Sequence, residues 1–484
     1  MEAAMQLKSL ARVGFALLLS GCAAGPVYQK PAAEIPEAWR ELPQEGRTVP
    51  ADRWWTFYGD SVLDRLVEEA LAHNRDLALA AARVEEARAF LQIADAEFFP
   101  SIDAEFQRDR SRSSGRSSLP LPPGVPLERN NYRGQINVAY EVDLWGRLRS
   151  ASNAARADLL ASRAAQETVR VTLTAQVVQS YFTLKALDAQ IDATRRALEL
   201  RGRTLDLQKV RSEAGLIGDL DLRRIEAEVA AARAQLPALE RARGTEEAAL
   251  AVLLGRSPRA IIEESMRLAA DHGTPPALVV PEGLPSDLLL RRPDVVQAEQ
   301  QLIAANARIA AARAALFPRI SLTGYLGSES ASLSDLFSAP SRIWQLAFAL
   351  AQPIFQGDRL RAEVEVVRAR ERQALAQYQK TLQQAFREVR EALIRQDRSR
   401  AAFEAEGARA KALEDTVRLA RIRYDNGRSS QLEVIDAERA LLQAELNRID
   451  ALRAQRSAVA DLVKALGGGW AGFEPVATAA SSAR

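Results

Sequence analysis

Tyr132-Arg133-Gly134-Gln135-Ile136-Asn137-Val138-Ala139-Tyr140-Glu141-Val142-Asp143-Leu144 alternates along its whole length. Tyr132, Gly134, Ile136, Val138, Tyr140, Val142 and Leu144 fall on one side of an extended chain. Arg133, Gln135, Asn137, Glu141 and Asp143 fall on the other, with Ala139 among them. Side chains of a strand point alternately to opposite faces, so this period predicts a strand with one apolar and one polar environment. Ahead of it Ile102, Ala104 and Phe106 repeat the pattern more weakly. A second pair follows far downstream: Ile320, Leu322, Gly324 and Leu326, then Trp344, Leu346, Phe348 and Leu350 alternating with Gln345, Ala347, Ala349 and Ala351. Strands are expected at about 101–110, 131–144, 319–328 and 342–353. A membrane-spanning strand needs roughly 9–11 residues, and these segments fit. Loops rich in Ser, Gly and Pro, Ser111 to Pro126 and Ser328 to Ser341, join the strands of each pair.

The segments around these pairs are written twice. Asn74-Arg75-Asp76 opens a helical stretch closing at Phe98-Phe99-Pro100, and Arg292-Pro293-Asp294 opens another closing at Leu316-Phe317-Pro318. Further on, Leu144-Trp145-Gly146 matches Ile354-Phe355-Gln356-Gly357, Gly215 matches Gly427, and Leu254-Gly255 matches Leu466-Gly467. Residues 145–213 and 357–425 contain no Pro and run without a stop to a Gly. At about 1.5 Å per residue such helices reach on the order of 100 Å. Each turns back at once, through Ala214-Gly215-Leu216-Ile217-Gly218 or Asn426-Gly427-Arg428-Ser429-Ser430, because Gly and Asn tolerate the left-handed conformation that ends a helix. Pro237, inside the first returning helix, is expected to kink or open it. The predicted unit, used twice, is helix, strand, strand, long helix, helix. The repeats span 60–255 and 286–467, with a Pro-rich linker at 256–285 and a tail at 468–484.

Composition narrows the function classes. The 65 basic and 63 acidic side chains leave a net charge of +2, which gives no case for a nucleic-acid partner. One Cys excludes an internal disulfide framework, and two isolated His, His73 and His272, supply no metal cluster. No phosphate-binding loop, dinucleotide fingerprint or nucleophile elbow occurs, so no enzyme and no cofactor is expected. Lys8 and Arg12 precede the short apolar run Val13 to Leu19, which reads as an export signal over residues 1–21. Four strands cannot close a barrel, and an open edge is not tolerated in lipid. Strands that span a membrane therefore require several chains to share one barrel. The rival reading, a periplasmic coiled-coil scaffold lipoprotein, makes them soluble hairpins.

Leu19-Ser20-Gly21-Cys22 resembles a bacterial lipobox, which makes Cys22 the acylated first mature residue of an extended segment 22–59, and Ala23 after it suits the outer membrane. The mature start Gly21-Cys22-Ala23-Ala24-Gly25-Pro26-Val27-Tyr28, the pair Trp54-Trp55, the block Gly283-Leu284-Pro285 to Arg291-Arg292-Pro293-Asp294, and the close Leu466-Gly467-Gly468-Gly469-Trp470 are similar to the TolC-like outer-membrane factor family, in its NodT and OprM-like lipoprotein branch. The resemblance implies a mostly α protein with a membrane β-barrel. It implies a homotrimer whose twelve-strand β-barrel in the outer membrane is continued by a twelve-helix α-barrel in the periplasm. Its expected partners are a periplasmic adaptor and an inner-membrane transporter of the RND class. Its expected task is passive efflux of drugs or other small toxic solutes, with type I protein secretion as the alternative.

The same resemblance places a periplasmic gate in the stretch from Tyr424 to Arg439. Leu432, Asp436 and Arg439 fall on one helix face by their spacing, and Glu433 neighbours Asp436. Threefold repetition would turn Leu432, Glu433, Asp436 and Arg439 into rings around an axis, with Tyr424 as a latch. Ser429 stands where some relatives carry an Arg, and Arg224 stands at the position matching Asp436 in the first repeat. The tips, Ala214, Gly215, Leu216 and Asn426, Gly427, Arg428, are the expected adaptor contacts.

Overall fold

The computed structural model describes residues 28–32, 53–116, 122, 124–263 and 292–468. Cys22 with its lipobox, most of the linker and the Gly469-Trp470 ending lie outside the described residues. The elements come in chain order: a 3-10 turn Trp54–Tyr58, α1 Ser61–His73, α2 Arg75–Ala96, β1 Ser101–Arg112, β2 Glu128–Val142, α3 Arg147–Glu213, α4 Asp219–Leu253 and α5 Pro258–Glu263. Then follow α6 Pro293–Ala314, β3 Arg319–Ser330, β4 Arg342–Ala351, α7 Arg359–Asp425 and α8 Gln431–Ala465. The two long helices α3 and α7 each hold 67 residues, the returning helices α4 and α8 each hold 35, and α2 and α6 each hold 22. Equal lengths in corresponding elements are the structural form of the internal repeat.

The chain divides into two compact units. In the first, comprising 28–32, 84–162 and 298–378, the strands form one antiparallel sheet in the order β1-β2-β3-β4. The sheet joins both repeats, because β2 pairs with β3 from Tyr132 opposite Ser330 to Val142 opposite Ile320. Where the chain leaves β2 for α3, Asp143 caps the helix by accepting from the N–H groups of Leu148 at 3.0 Å and Arg149 at 2.9 Å. Trp145 then stacks on Phe317 with ring centroids 4.8 Å apart, and its indole N–H donates to the carbonyl of Pro318 at 2.8 Å. The two repeats are thus tied at the base of the sheet.

The second unit comprises 53–83, 163–263, 292–297 and 379–468. Its core gathers Trp54, Trp55 and Phe57 with Leu63 and Val67 of α1, Tyr181 and Leu184 of α3, and Val459 and Leu462 of α8. The early Trp pair is therefore core-forming, and burying its large apolar area stabilises this unit. Asp60 caps α1 and also accepts hydrogen bonds from the Tyr181 hydroxyl and from the Lys185 ammonium at 3.1 Å. Each returning helix ends in the same cap: Gly255 and Gly467 sit at φ 71° and 79°, and the residue after each donates back to Ala251 or Val463. A Cβ on Gly255 would lie 2.1 Å from the carbonyl of His73, so this position needs glycine for two reasons.

Pro237 does not end the returning helix. Helix α4 runs unbroken from Asp219 to Leu253 with Pro237 inside it. Proline lacks the N–H that would bond to the carbonyl of Arg233, and Arg233 is an exposed residue.

Candidate functional site

The sheet carries the first site. Register places Ala104, Ile136, Leu326 and Trp344 in one row across all four strands, and Ile102, Val138, Gly324 and Leu346 in the next. Directly opposed residues share a face, so these rows and the following Tyr140, Leu322 and Phe348 build one apolar surface. That surface is open: Trp344, Leu346 and Phe348 are 76%, 80% and 66% exposed. An apolar face of this extent left uncovered in the folded chain marks contact with lipid or protein.

The opposite face is a connected polar layer. Glu105 accepts from the side-chain amides of Gln135 at 3.2 Å and Asn137 at 3.1 Å. Asn131 donates to Glu329 at 2.9 Å, and the Arg133 guanidinium lies 4.8 Å from the centroid of the Tyr325 ring. Among the described residues β1 and β4 have no strand partner on their outer edges. No described helix is long and apolar enough to cross a membrane.

The second site is the pair of helical turns in the second unit. Gly215 and Gly427 take φ 70° and 67°; Leu216 donates to the carbonyl of Arg211 and Arg428 to that of Arg423, both at 2.8 Å. These bonds satisfy the last carbonyls of α3 and α7 and leave Ala214, Gly215, Leu216, Asn426, Gly427 and Arg428 on the surface. Leu216 is 72% exposed although it is a large apolar residue.

The expected gate residues are placed as follows. Leu432, Glu433, Asp436 and Arg439 lie on the first turns of α8 and are all exposed. Asp436 pairs with Arg439 at 3.2 Å, and Glu433 with Arg423 of α7 at 3.4 Å. In the first repeat Asp221 and Arg224, at the positions of Glu433 and Asp436, face each other at 3.8 Å. The Tyr424 hydroxyl accepts from Gln208 and Arg211 of α3, each at 3.1 Å, so it joins α7 to the first repeat within one chain. Gln208 is 2% exposed and also reaches Gln431 at 3.3 Å. Neither Gln208 nor Arg211 was singled out by the sequence, because only the fold brings residues more than two hundred positions apart together. Their only sequence signal is a polar pair three apart beside a turn.

A sheet with one bare apolar face and one hydrogen-bonded polar face is what a strand-built membrane protein requires. The chain belongs to the Outer membrane efflux protein family, whose pattern it matches over residues 66–256 and 284–468. It is 36% identical over 474 residues to the Toluene efflux pump outer membrane protein TtgI of Pseudomonas putida, covering 96% of this chain and 99% of that one. It is 34% identical over 463 residues to the Cation efflux system protein CusC of Escherichia coli, covering 94% and 97%. Among solved structures it resembles the CmeC outer membrane channel of Campylobacter jejuni with a TM-score of 0.86, at 25% identity over 93% of this chain and 95% of that one. The protein is an outer membrane efflux protein.

Proposed function

We propose that three copies of this chain close one twelve-strand barrel in the outer membrane, and that their long helices line a periplasmic duct through which small toxic solutes leave the cell. The observation that carries this reading is the four-stranded sheet with a bare apolar face and two open edges. In hydrocarbon each unpaired backbone group costs several kcal/mol, so the edges must find partners in neighbouring copies. A polar inner face then gives a wet lumen. Cys22 carries the lipid that holds the N-terminal segment to the membrane, and no cofactor takes part.

Leu432, Glu433, Asp436 and Arg439 would form rings at the periplasmic mouth, with Tyr424 holding α7 in its closed position. The exposed turns at 214–216 and 426–428 would receive the adaptor, which couples the duct to an inner-membrane transporter, most naturally a proton-driven one. Relatives bear names of toluene and cation pumps, so cargo choice rests with the transporter and the duct is permissive. Purified, acylated protein is expected to migrate as a heat-modifiable oligomer and to give discrete conductance steps in planar bilayers. A monomeric product that leaves the bilayer silent would falsify the duct.

A further inference from the structure

The apolar face of the sheet does not end the same way at its two ends. At the end near the base of the sheet its last paired row is Val142, Ile320 and Leu350, without a charge. At the loop end the row above Trp344 is Phe106, Gly134, Ser328 and Arg342, followed by Arg108 with Tyr132, Arg110 with Asn130, and Arg112 with Glu128. Because opposed residues share a face, Arg108, Arg110, Arg112 and Arg342 all stand on the apolar side, directly beyond its edge. All four are exposed. The one carboxylate in these rows, Glu128, is shared by Arg110 at 3.0 Å and Arg112 at 3.5 Å. Arg108 lies over the Tyr132 ring, 5.6 Å from its centroid. Tyr132 and Trp344 carry amphipathic rings of the kind enriched at membrane–water boundaries.

We propose that Arg108, Arg110, Arg112 and Arg342 form a phosphate-binding belt for the phosphorylated glycolipid of the membrane's outer leaflet. The inference rests on the reading that the apolar face meets hydrocarbon with the loops outside. The physical case has three parts. Guanidinium groups bind phosphate in bidentate fashion, and these lie at the depth where headgroups begin. Among the paired rows of the apolar face, arginines occur at the loop end only, which fits a bilayer whose two leaflets carry different headgroups. Four cations against one carboxylate leave an excess that no described side chain on this face neutralises. Acyl chains of the same lipid would cover Phe106, Leu326 and Trp344 directly below.

The test uses the full-length, detergent-purified oligomer of the wild type and of a variant carrying Arg108→Gln, Arg110→Gln and Arg342→Gln. Each is reconstituted into phosphatidylcholine nanodiscs doped with diphosphoryl glycolipid, its dephosphorylated form, or phosphatidylglycerol, and bound lipid per oligomer is read by native mass spectrometry. The wild type is expected to retain the diphosphoryl form over both others. The variant is expected to bind it on the order of 100-fold more weakly, since each basic side chain at an anionic surface contributes roughly a factor of five. Equal retention of phosphorylated and dephosphorylated lipid by the wild type overturns the belt, as does equal binding by the variant, or retention of phosphatidylglycerol just as well. Heat-modifiability and bilayer conductance are recorded on the same samples. If they persist while the lipid preference is missing, the belt alone is wrong. If both fail in the wild type, the membrane reading falls and takes the belt with it.

Discussion

The guanidinium of Arg292 donates to the carbonyl of Ala465 at 2.7 Å, and the Asn74 side-chain amide donates to the matching carbonyl of Leu253 at 2.9 Å. Two repeats thus tie the last turn of the returning helix to the start of the short one with different chemistry. Arg292 is 6% exposed and also holds Asp294 and Glu388, each at 2.7 Å. Arg292→Met is expected to cost about 2–4 kcal/mol, because it leaves a buried carbonyl and two carboxylates without their cation. The change is read as a lower midpoint of thermal unfolding in detergent. Asn74→Ala should cost less, about 1–2 kcal/mol, since it removes a neutral cap and one bond.

Tyr424→Phe removes the oxygen that accepts from both Gln208 and Arg211. If Tyr424 secures the closed form, losing about 1–2 kcal/mol of it raises the open population by roughly tenfold. Single-channel recording checks this through the open probability at low voltage. An unchanged open probability removes Tyr424 from the gate. The companion change Leu432→Ala should widen the closed pore without altering oligomer stability.

Acid weakens the second unit through Asp60. Burial pushes its carboxyl pKa up, but hydrogen bonds from Tyr181 and Lys185 outweigh burial and hold it below the ordinary 3.8. A carboxyl with a depressed folded value contributes stability that is full above the ordinary value and lost as pH falls through the folded one. Thermal midpoints should therefore be flat with respect to this group above about pH 5 and decline below about pH 4. In Asp60→Asn the decline should shrink and the midpoint at neutral pH should drop. An identical acid limb in both proteins counts against the assignment.

The two faces of the sheet predict opposite responses. Leu346→Arg on the apolar face should cost about 2–4 kcal/mol if it lies at mid-bilayer and should reduce the heat-modifiable oligomer. Gln345→Arg, one residue away on the polar face, should leave assembly intact and shift ion selectivity toward anions. Reversal potentials in a salt gradient measure the second effect, and gel mobility the first.

Much of this architecture could be read before any coordinates. The alternation from Tyr132 to Leu144 is a local signal, and β2 occupies Glu128–Val142. The Pro-free runs and their terminal glycines are local too, and the long helices stop at Glu213 and Asp425. What sequence left unspecified is non-local. Nothing in either hairpin says that Tyr132 sits opposite Ser330, because register across repeats depends on where the helices bring the strands. The ties from Tyr424 to Gln208 and from Arg292 to Ala465 were hidden for the same reason.

The bare edges of β1 and β4 also bear on inheritance. If every seam needs one edge from each of two neighbours, a subunit with a ruined β4 spoils whatever ring admits it. Alleles damaging that edge should then be dominant, silencing far more than their share when expressed beside an intact copy, whereas damage confined to a helical turn should be recessive.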